Sequence, residues 1–152
     1  MKIGLITSIF EGMGLKEVVD FAAESGLECL EVACWPTSGG EKRRYAGVSH
    51  IKTENLTAEK AEEIKAYMKV KGVDISALAY YPNMLDPDEE KRRTYVEHLY
   101  RLIDASALLD VNMVTTFLGR ITNQSVSHNL KEVKKVWPPI LEYAQTKGVR
   151  IA

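Results

Sequence analysis

Apolar residues recur in four short continuous runs, each entered from a glycine or aspartate that closes a stretch of helical periodicity. The runs follow Gly26-Leu27, Gly72-Val73, Asp110-Val111 and Gly148-Val149, and these anchor points lie 46, 38 and 38 residues apart. Continuous apolar strands separated regularly by helices are the pattern of a parallel sheet built of βα units. A first strand over residues 2–9 precedes them. The insertion that lengthens the first interval falls in the loop 37–56, rich in glycine and charge.

The helices carry their own punctuation. Helix one starts from Gly14, sets Leu15, Val18, Val19, Ala22 and Ala23 at helical spacing, and stops at Gly26. Helix two begins near the cap Thr57, buries Ala61, Ile64 and Met68, and ends at Gly72. A third strand covers 73–81. Asp86 as cap, Pro87 at the first helical position and Glu89 closing a capping box predict a third helix to about residue 109. A fourth strand spans 111–118. The fourth helix spans roughly 126–147, and Pro138-Pro139 should kink or restart it near Trp137. Residues 149–152 open a fifth strand.

At this repeat length, eight units need about twice the present chain, the size of a (β/α)8 barrel. The expected fold class is therefore α/β: parallel βα repeats forming roughly half of a (β/α)8 TIM barrel, four βα units plus the start of strand five. Residues 1–152 are expected to form one N-terminal half-barrel domain. A fifth strand without neighbours would leave backbone groups unpaired, which is the reason for expecting a severed barrel. The rival is a flavodoxin-like, doubly wound five-stranded domain, which requires a helix after strand five.

The chain is 45% apolar and 27% charged with a formal net charge of -1, so the balance calls for neither nucleic acid nor a membrane surface. No apolar stretch approaches a membrane span, and Met1-Lys2-Ile3 opens directly into a strand pattern; a cytoplasmic location is expected. Cys29 and Cys34 fall on opposite faces of one strand, outside any C-x-x-C spacing, and read as two reduced thiols.

Chemistry concentrates in Cys29-Leu30-Glu31-Val32-Ala33-Cys34-Trp35-Pro36. Strand alternation puts Leu30, Val32 and Cys34 on one face and Cys29, Glu31, Ala33 and Trp35 on the other. A carboxylate mid-strand is costly to bury without a partner, so the Glu31 face should look into a polar cavity. Ligands of parallel α/β folds bind at the carboxyl ends of the strands. Here those ends carry Thr7-Ser8, Trp35-Pro36, Tyr80-Tyr81-Pro82-Asn83 and Phe117-Leu118-Gly119-Arg120. Aromatic rings beside amide, hydroxyl and guanidinium groups suit a polyhydroxylated ligand. Glu31 is a candidate general base or sugar contact, with a structural carboxylate as the alternative, and His50 is the candidate that reaches the same face. His98 and His128 read as surface or boundary residues, and three scattered histidines make no metal site. Arg43 and Arg44 are either phosphate contacts or solvated loop charges. Gly12-Met13-Gly14 lacks the further glycine of a dinucleotide loop and the Lys-Ser/Thr of a P-loop.

Six segments carry a family resemblance. They are Gly26-Leu27-Glu28-Cys29-Leu30-Glu31-Val32, Trp35-Pro36, Arg43-Arg44-Tyr45-Ala46-Gly47, His50-Ile51, Tyr81-Pro82-Asn83-Met84-Leu85-Asp86-Pro87-Asp88 and Thr115-Thr116-Phe117-Leu118-Gly119-Arg120. In this order and spacing the chain resembles the sugar phosphate isomerase/epimerase family of xylose-isomerase-like TIM barrels, over its whole length but over only the first half of a member. The resemblance implies a divalent-metal enzyme (Mn²⁺ or Mg²⁺ in the full-length family) that interconverts ketoses or epimers by proton transfer next to a carbonyl. It also implies metal ligands on strands five to eight, beyond Ala152, so no metal ligand is expected in this chain and no activity from it alone. Lys52 and Ile121 stand where the resemblance leads one to expect an acidic residue. What carries over is a substrate wall for a sugar or sugar phosphate: Trp35, Tyr81, Asn83 and Arg120, with Glu31 and His50 as catalytic candidates. The alternative is a non-catalytic sugar-binding or assembly module. Open strand edges and an apolar inner face lead us to expect a homo-oligomer.

Overall fold

The computed structural model describes residues 1–36 and 47–152. Its elements alternate: β1 (Gly4–Ile6), α1 (Leu15–Glu24), β2 (Cys29–Ala33), α2 (Ala58–Lys71), β3 (Asp74–Ala79), α3 (Glu89–Leu108), β4 (Met113–Thr115), α4 (Val126–Thr146) and β5 (Arg150–Ile151). The strands lie in sequential order, and every neighbouring pair is parallel. A flavodoxin-like sheet would place the first strand inside, in the order 2-1-3-4-5. Here β1 is an edge, so that expectation is overturned.

All four helices cover one face. Leu30, Val32 and Cys34 of β2 and the stretch beyond it join Leu78, Tyr80 and Val114 in a single core with Val18, Val19, Met68, Leu99, Leu102, Ile103 and Ile140 from the helices. Leu5, Ile75 and Ile151 pack against the same core. The opposite face carries Glu31, Tyr81 and Thr115, which meet one another. A sheet helix-covered on one side and polar on the other is a barrel wall, whereas a doubly wound sheet has helices on both.

Local chemistry explains where elements start and stop. Thr57 caps α2 by accepting from the Lys60 N–H at 3.3 Å, and Gly72 closes it in the left-handed conformation at φ 69°. The cap of α3 is Asp88 rather than Asp86: Asp88 accepts from the Glu90 and Lys91 N–H groups, while the Asp86 carboxylate is taken up by the Asp88 N–H at 2.9 Å. The first strand is shorter than the apolar run because Thr7 turns into a 3-10 turn and its hydroxyl, not a ladder carbonyl, accepts the Ala33 N–H at 2.9 Å. The fourth strand ends at Thr115, and the chain then swings away through Gly119 at φ 85°. Pro138 and Pro139 do not restart α4, which runs through them. Both prolines, and Lys134 and Lys135 whose carbonyls they free, are exposed, so water can satisfy those groups. The third strand is not one straight run either. Leu30 pairs with Ile75 but Glu31 pairs with Ala77, so one residue of β3 is skipped.

Two glycines are fixed by close approach. A Cβ on Gly4 would fall on the Cys29 carbonyl oxygen, and one on Gly119 would sit 2.6 Å from the Leu85 nitrogen and 2.7 Å from Asn83 Oδ1. Gly4→Ala and Gly119→Ala should each lower stability by about 1–3 kcal/mol in urea denaturation. Gly12→Ala meets no atom within 4 Å, so it should cost only the left-handed backbone penalty of about 1 kcal/mol.

Candidate functional site

Glu31 in the middle of β2, Tyr81 just past the end of β3 and Thr115 at the end of β4 meet at one point on the inner face. Oε1 of Glu31 accepts from the Tyr81 hydroxyl and from the Thr115 hydroxyl, the latter at 2.9 Å. The Leu78 carbonyl lies 3.4 Å from Thr115 Oγ1, but the single hydroxyl proton favours the shorter, charge-assisted bond. Burial first, and then the bond to Glu31, pushes the Tyr81 phenol up to about 12, so Tyr81 is a donor at neutral pH. Oε2 of Glu31 has no hydrogen bond among the described residues. The Tyr81 ring lies 4.8 Å from that of Phe117, which is 59% exposed, so an open aromatic shelf borders the carboxylate.

His50 arrives by a separate route. The chain after residue 46 folds back on the end of β2: Cys34 bridges Ser49, and the His50 N–H donates to the Ala33 carbonyl at 2.9 Å. This sets His50 Nδ1 3.0 Å from the hydroxyl of Thr7. Burial holds the imidazole below its ordinary value, which keeps it neutral. His50 therefore stands on the β1 side of β2 and is bonded to Thr7, not to Glu31. Thr115 is the polar partner that strand-end reasoning did not single out, while Thr7 was among the strand ends it named. The signal is positional: Thr7 is a hydroxyl just past the end of β1, and Thr115 is one at the end of β4.

The remaining candidates separate into wall and scaffold. Trp35 lies beyond the end of β2, and its ring packs edge-on against Tyr80 with centroids 4.9 Å apart. Tyr80 is fully buried, so Trp35 belongs to the core side of the rim rather than to the face of Glu31. Asn83 spends its amide on the next loop: Nδ2 donates to the Arg120 carbonyl at 2.9 Å, and Oδ1 accepts the Arg120 N–H at 2.8 Å. The Arg120 side chain is exposed at the mouth. Arg43 and Arg44 lie outside the described residues.

The sequence matches the xylose isomerase-like TIM barrels over residues 19–152. The chain belongs to this family. Several solved structures share the fold of this TIM-barrel chain. D-psicose 3-epimerase with D-tagatose from Clostridium cellulolyticum H10 has a TM-score of 0.67 at 15% identity, covering 99% of this chain and 51% of that one. The probable 3-DHS dehydratase AsbF, involved in petrobactin synthesis, from Bacillus anthracis gives 0.67 at 22% identity, with coverage of 99% and 51%. The IolI protein, solved with a bound zinc atom, gives 0.68 at 17% identity, with coverage of 100% and 50%. No curated protein matches the chain significantly. This xylose isomerase-like chain spans about half the length of the solved structures it matches, and its five parallel strands and alternating helices form half of a (β/α)8 barrel.

Among the described residues no group of three or more His, Cys, Asp or Glu side chains could hold an ion. Glu31 has hydroxyl partners rather than further ligands, and the described residues do not fit a metal centre. The cysteines do not supply one: Cys34 is fully buried, and burial pushes its thiol up to about 12. The phosphate-loop pattern at Gly12–Gly14 is also filled from within, since Glu17 accepts the Gly14 N–H at 2.6 Å. Among the described residues no helix is long and apolar enough to cross a membrane.

His98 corrects the surface reading. It is fully buried, and its Nε2–H donates to the Cys34 carbonyl at 2.7 Å, tying α3 to the end of β2. Its ring stacks edge-on with Tyr80 at 4.5 Å, and Nδ1 lies 4.0 Å from Glu54 Oε1. The helical stripe that buries Leu99 and Leu102 takes in position 98 as well, and the carbonyl of Cys34 gives the imidazole its partner. Burial holds His98 below its ordinary value. A folded-state value below the unfolded one gives stability that is present above the unfolded value and lost as pH falls. Urea midpoints should therefore fall from pH 7.5 to pH 5, and the fall should be smaller in His98→Gln, which keeps a donor for Cys34.

Proposed function

We propose that this chain is the carbohydrate-binding half of a sugar isomerase or epimerase barrel, a single domain that holds the substrate wall and is inactive by itself. The observation that carries this reading is the Glu31 carboxylate on the inner face. One oxygen is fixed by Tyr81 and Thr115, and the other is free of protein partners among the described residues. A sugar hydroxyl donates to that free oxygen, and a C–H face of the ring lies on the Tyr81–Phe117 shelf. His50, neutral and held by Thr7, is the second polar group of the wall. Arg120 is the contact for a phosphate at the mouth. The described residues do not form a metal centre, so the proton transfer of a complete isomerase is assigned to a whole barrel and not to this chain.

Titration calorimetry with ketohexoses and their phosphates tests this. Binding is expected without added metal, weakened about tenfold by Tyr81→Phe, the loss of one hydrogen bond to a charge, and abolished by Glu31→Ala. Isomerisation of a ketohexose by this chain in Mn²⁺ would overturn its reading as an incomplete enzyme. Absence of sugar heat in the native protein would overturn the wall.

A second reading, an assembly module, is favoured by the borders of the sheet. Ile3, next to β1 in the chain, is 61% exposed, and Phe21 of α1 is 43% exposed. At the other border Val126, Leu130 and Leu141 of α4 are 76%, 51% and 48% exposed. A second copy related by a twofold axis covers both apolar borders and both open strand edges at once. Sedimentation should show a dimer that Phe21→Lys with Leu130→Lys dissociates; a native monomer at high concentration would refute it.

A further inference from the structure

We propose that the residue skipped in the β2–β3 ladder, Ser76, is a positioning residue that decides which of two adjacent tyrosines serves the site. Residues six apart in an unbroken strand share a face. Ile75 packs on the helix side of the sheet, yet Tyr81 meets Glu31 on the inner side. The change of phase occurs where pairing steps from Leu30–Ile75 to Glu31–Ala77 and leaves Ser76 out. A bulge of one residue shifts every later side chain to the opposite face.

The consequence falls on Tyr80 and Tyr81. With the bulge, Tyr80 enters the core against Trp35 and His98, and Tyr81 reaches the carboxylate. With Ser76 taken into the ladder opposite Glu31 instead, the two exchange faces. Ser76 also pins the irregularity, because its hydroxyl donates to the Leu30 carbonyl at 3.1 Å, the acceptor on β2 beside the skipped position. The inference rests on the reading of Glu31 and Tyr81 as the sugar wall for its functional meaning, but its geometry is tested without a ligand.

The experiment is tyrosine-selective NMR on the whole chain, with Glu31→Gln as the perturbation and Tyr80→Phe and Tyr81→Phe assigning the two signals. In the native protein Glu31→Gln moves the Tyr81 titration down from about 12 and leaves the Tyr80 ring signals in place. In a chain with Ser76 deleted, Ala77 follows Ile75 in an unbroken ladder that keeps the pairing of Glu31 with Ala77, so the coupling to Glu31 stays with Tyr81. Passage of the coupling to Tyr80, or its loss in a folded chain, overturns the proposal. Should the deletion fail to fold, Ser76→Ala decides: amide exchange at Tyr80 and Tyr81 rises at least tenfold and the Tyr81 coupling weakens, whereas unchanged exchange and coupling overturn it. If the coupling follows the register but the native protein takes up no sugar, the wall reading fails and the positioning role of Ser76 stands.

Discussion

A carboxylate set in the middle of a strand needs hydrogen-bond donors, and Glu31 finds them on two other strands. The Tyr81 hydroxyl comes from the end of β3 and the Thr115 hydroxyl from the end of β4. Leaving an ionised group half-buried without donors costs several kcal/mol, more than most single contacts in a domain return. Satisfying it therefore requires β2, β3 and β4 to keep one relative register. The skipped residue in β3 and the one-sided helix layer are both consistent with that requirement.

Around this point the strand ends are tied by side chains rather than by more ladder. Thr7 takes the Ala33 N–H, His98 takes the Cys34 carbonyl, and Asn83 takes both backbone groups of Arg120. Asn129 does the same for Ile121, accepting its N–H at 2.6 Å. Each tie replaces a bond that the short strands no longer make, so the rim stays fixed where the sheet itself has ended. Fixed rims suit a binding wall, because little ordering is left for the ligand to impose.

The repeat of glycine-closed helices and apolar runs made the fold legible, since helix stops and continuous strands are local signals. The position of Glu31 on the polar face was legible for the same reason. Tyr81 was legible as a strand-end aromatic, but its pairing with Glu31 was not. Simple alternation through 73–81 puts Tyr81 on the side of Ile75, and a bulge leaves no composition signature in a run as uniform as Ile75-Ser76-Ala77-Leu78-Ala79. Asn83 and Arg120 read as ligand contacts because amides and guanidinium groups at strand ends look alike whether they face solvent or backbone. Only the distances show the Asn83 amide to be spent on the loop. His98 was misplaced because a histidine between Glu97 and Leu99 fits an amphipathic boundary, and its partner, the Cys34 carbonyl, is a long-range feature.

The choice of hydroxyls, rather than an arginine or lysine, as partners of Glu31 has a chemical consequence. An ion pair would neutralise the carboxylate and use up its acceptors. Tyr81 and Thr115 orient one oxygen and leave the charge uncompensated. A group of this kind attracts donors, which the hydroxyls of a neutral sugar supply in number, and repels an anion brought against it. A phosphate on the same ligand would have to lie away from Glu31. The exposed guanidinium of Arg120, beyond the Asn83 clamp, is a cation at the mouth of the same half-barrel. On the proposed reading, the polarity of the wall thus favours one orientation for a phosphorylated sugar, hydroxyls inward and phosphate toward the rim.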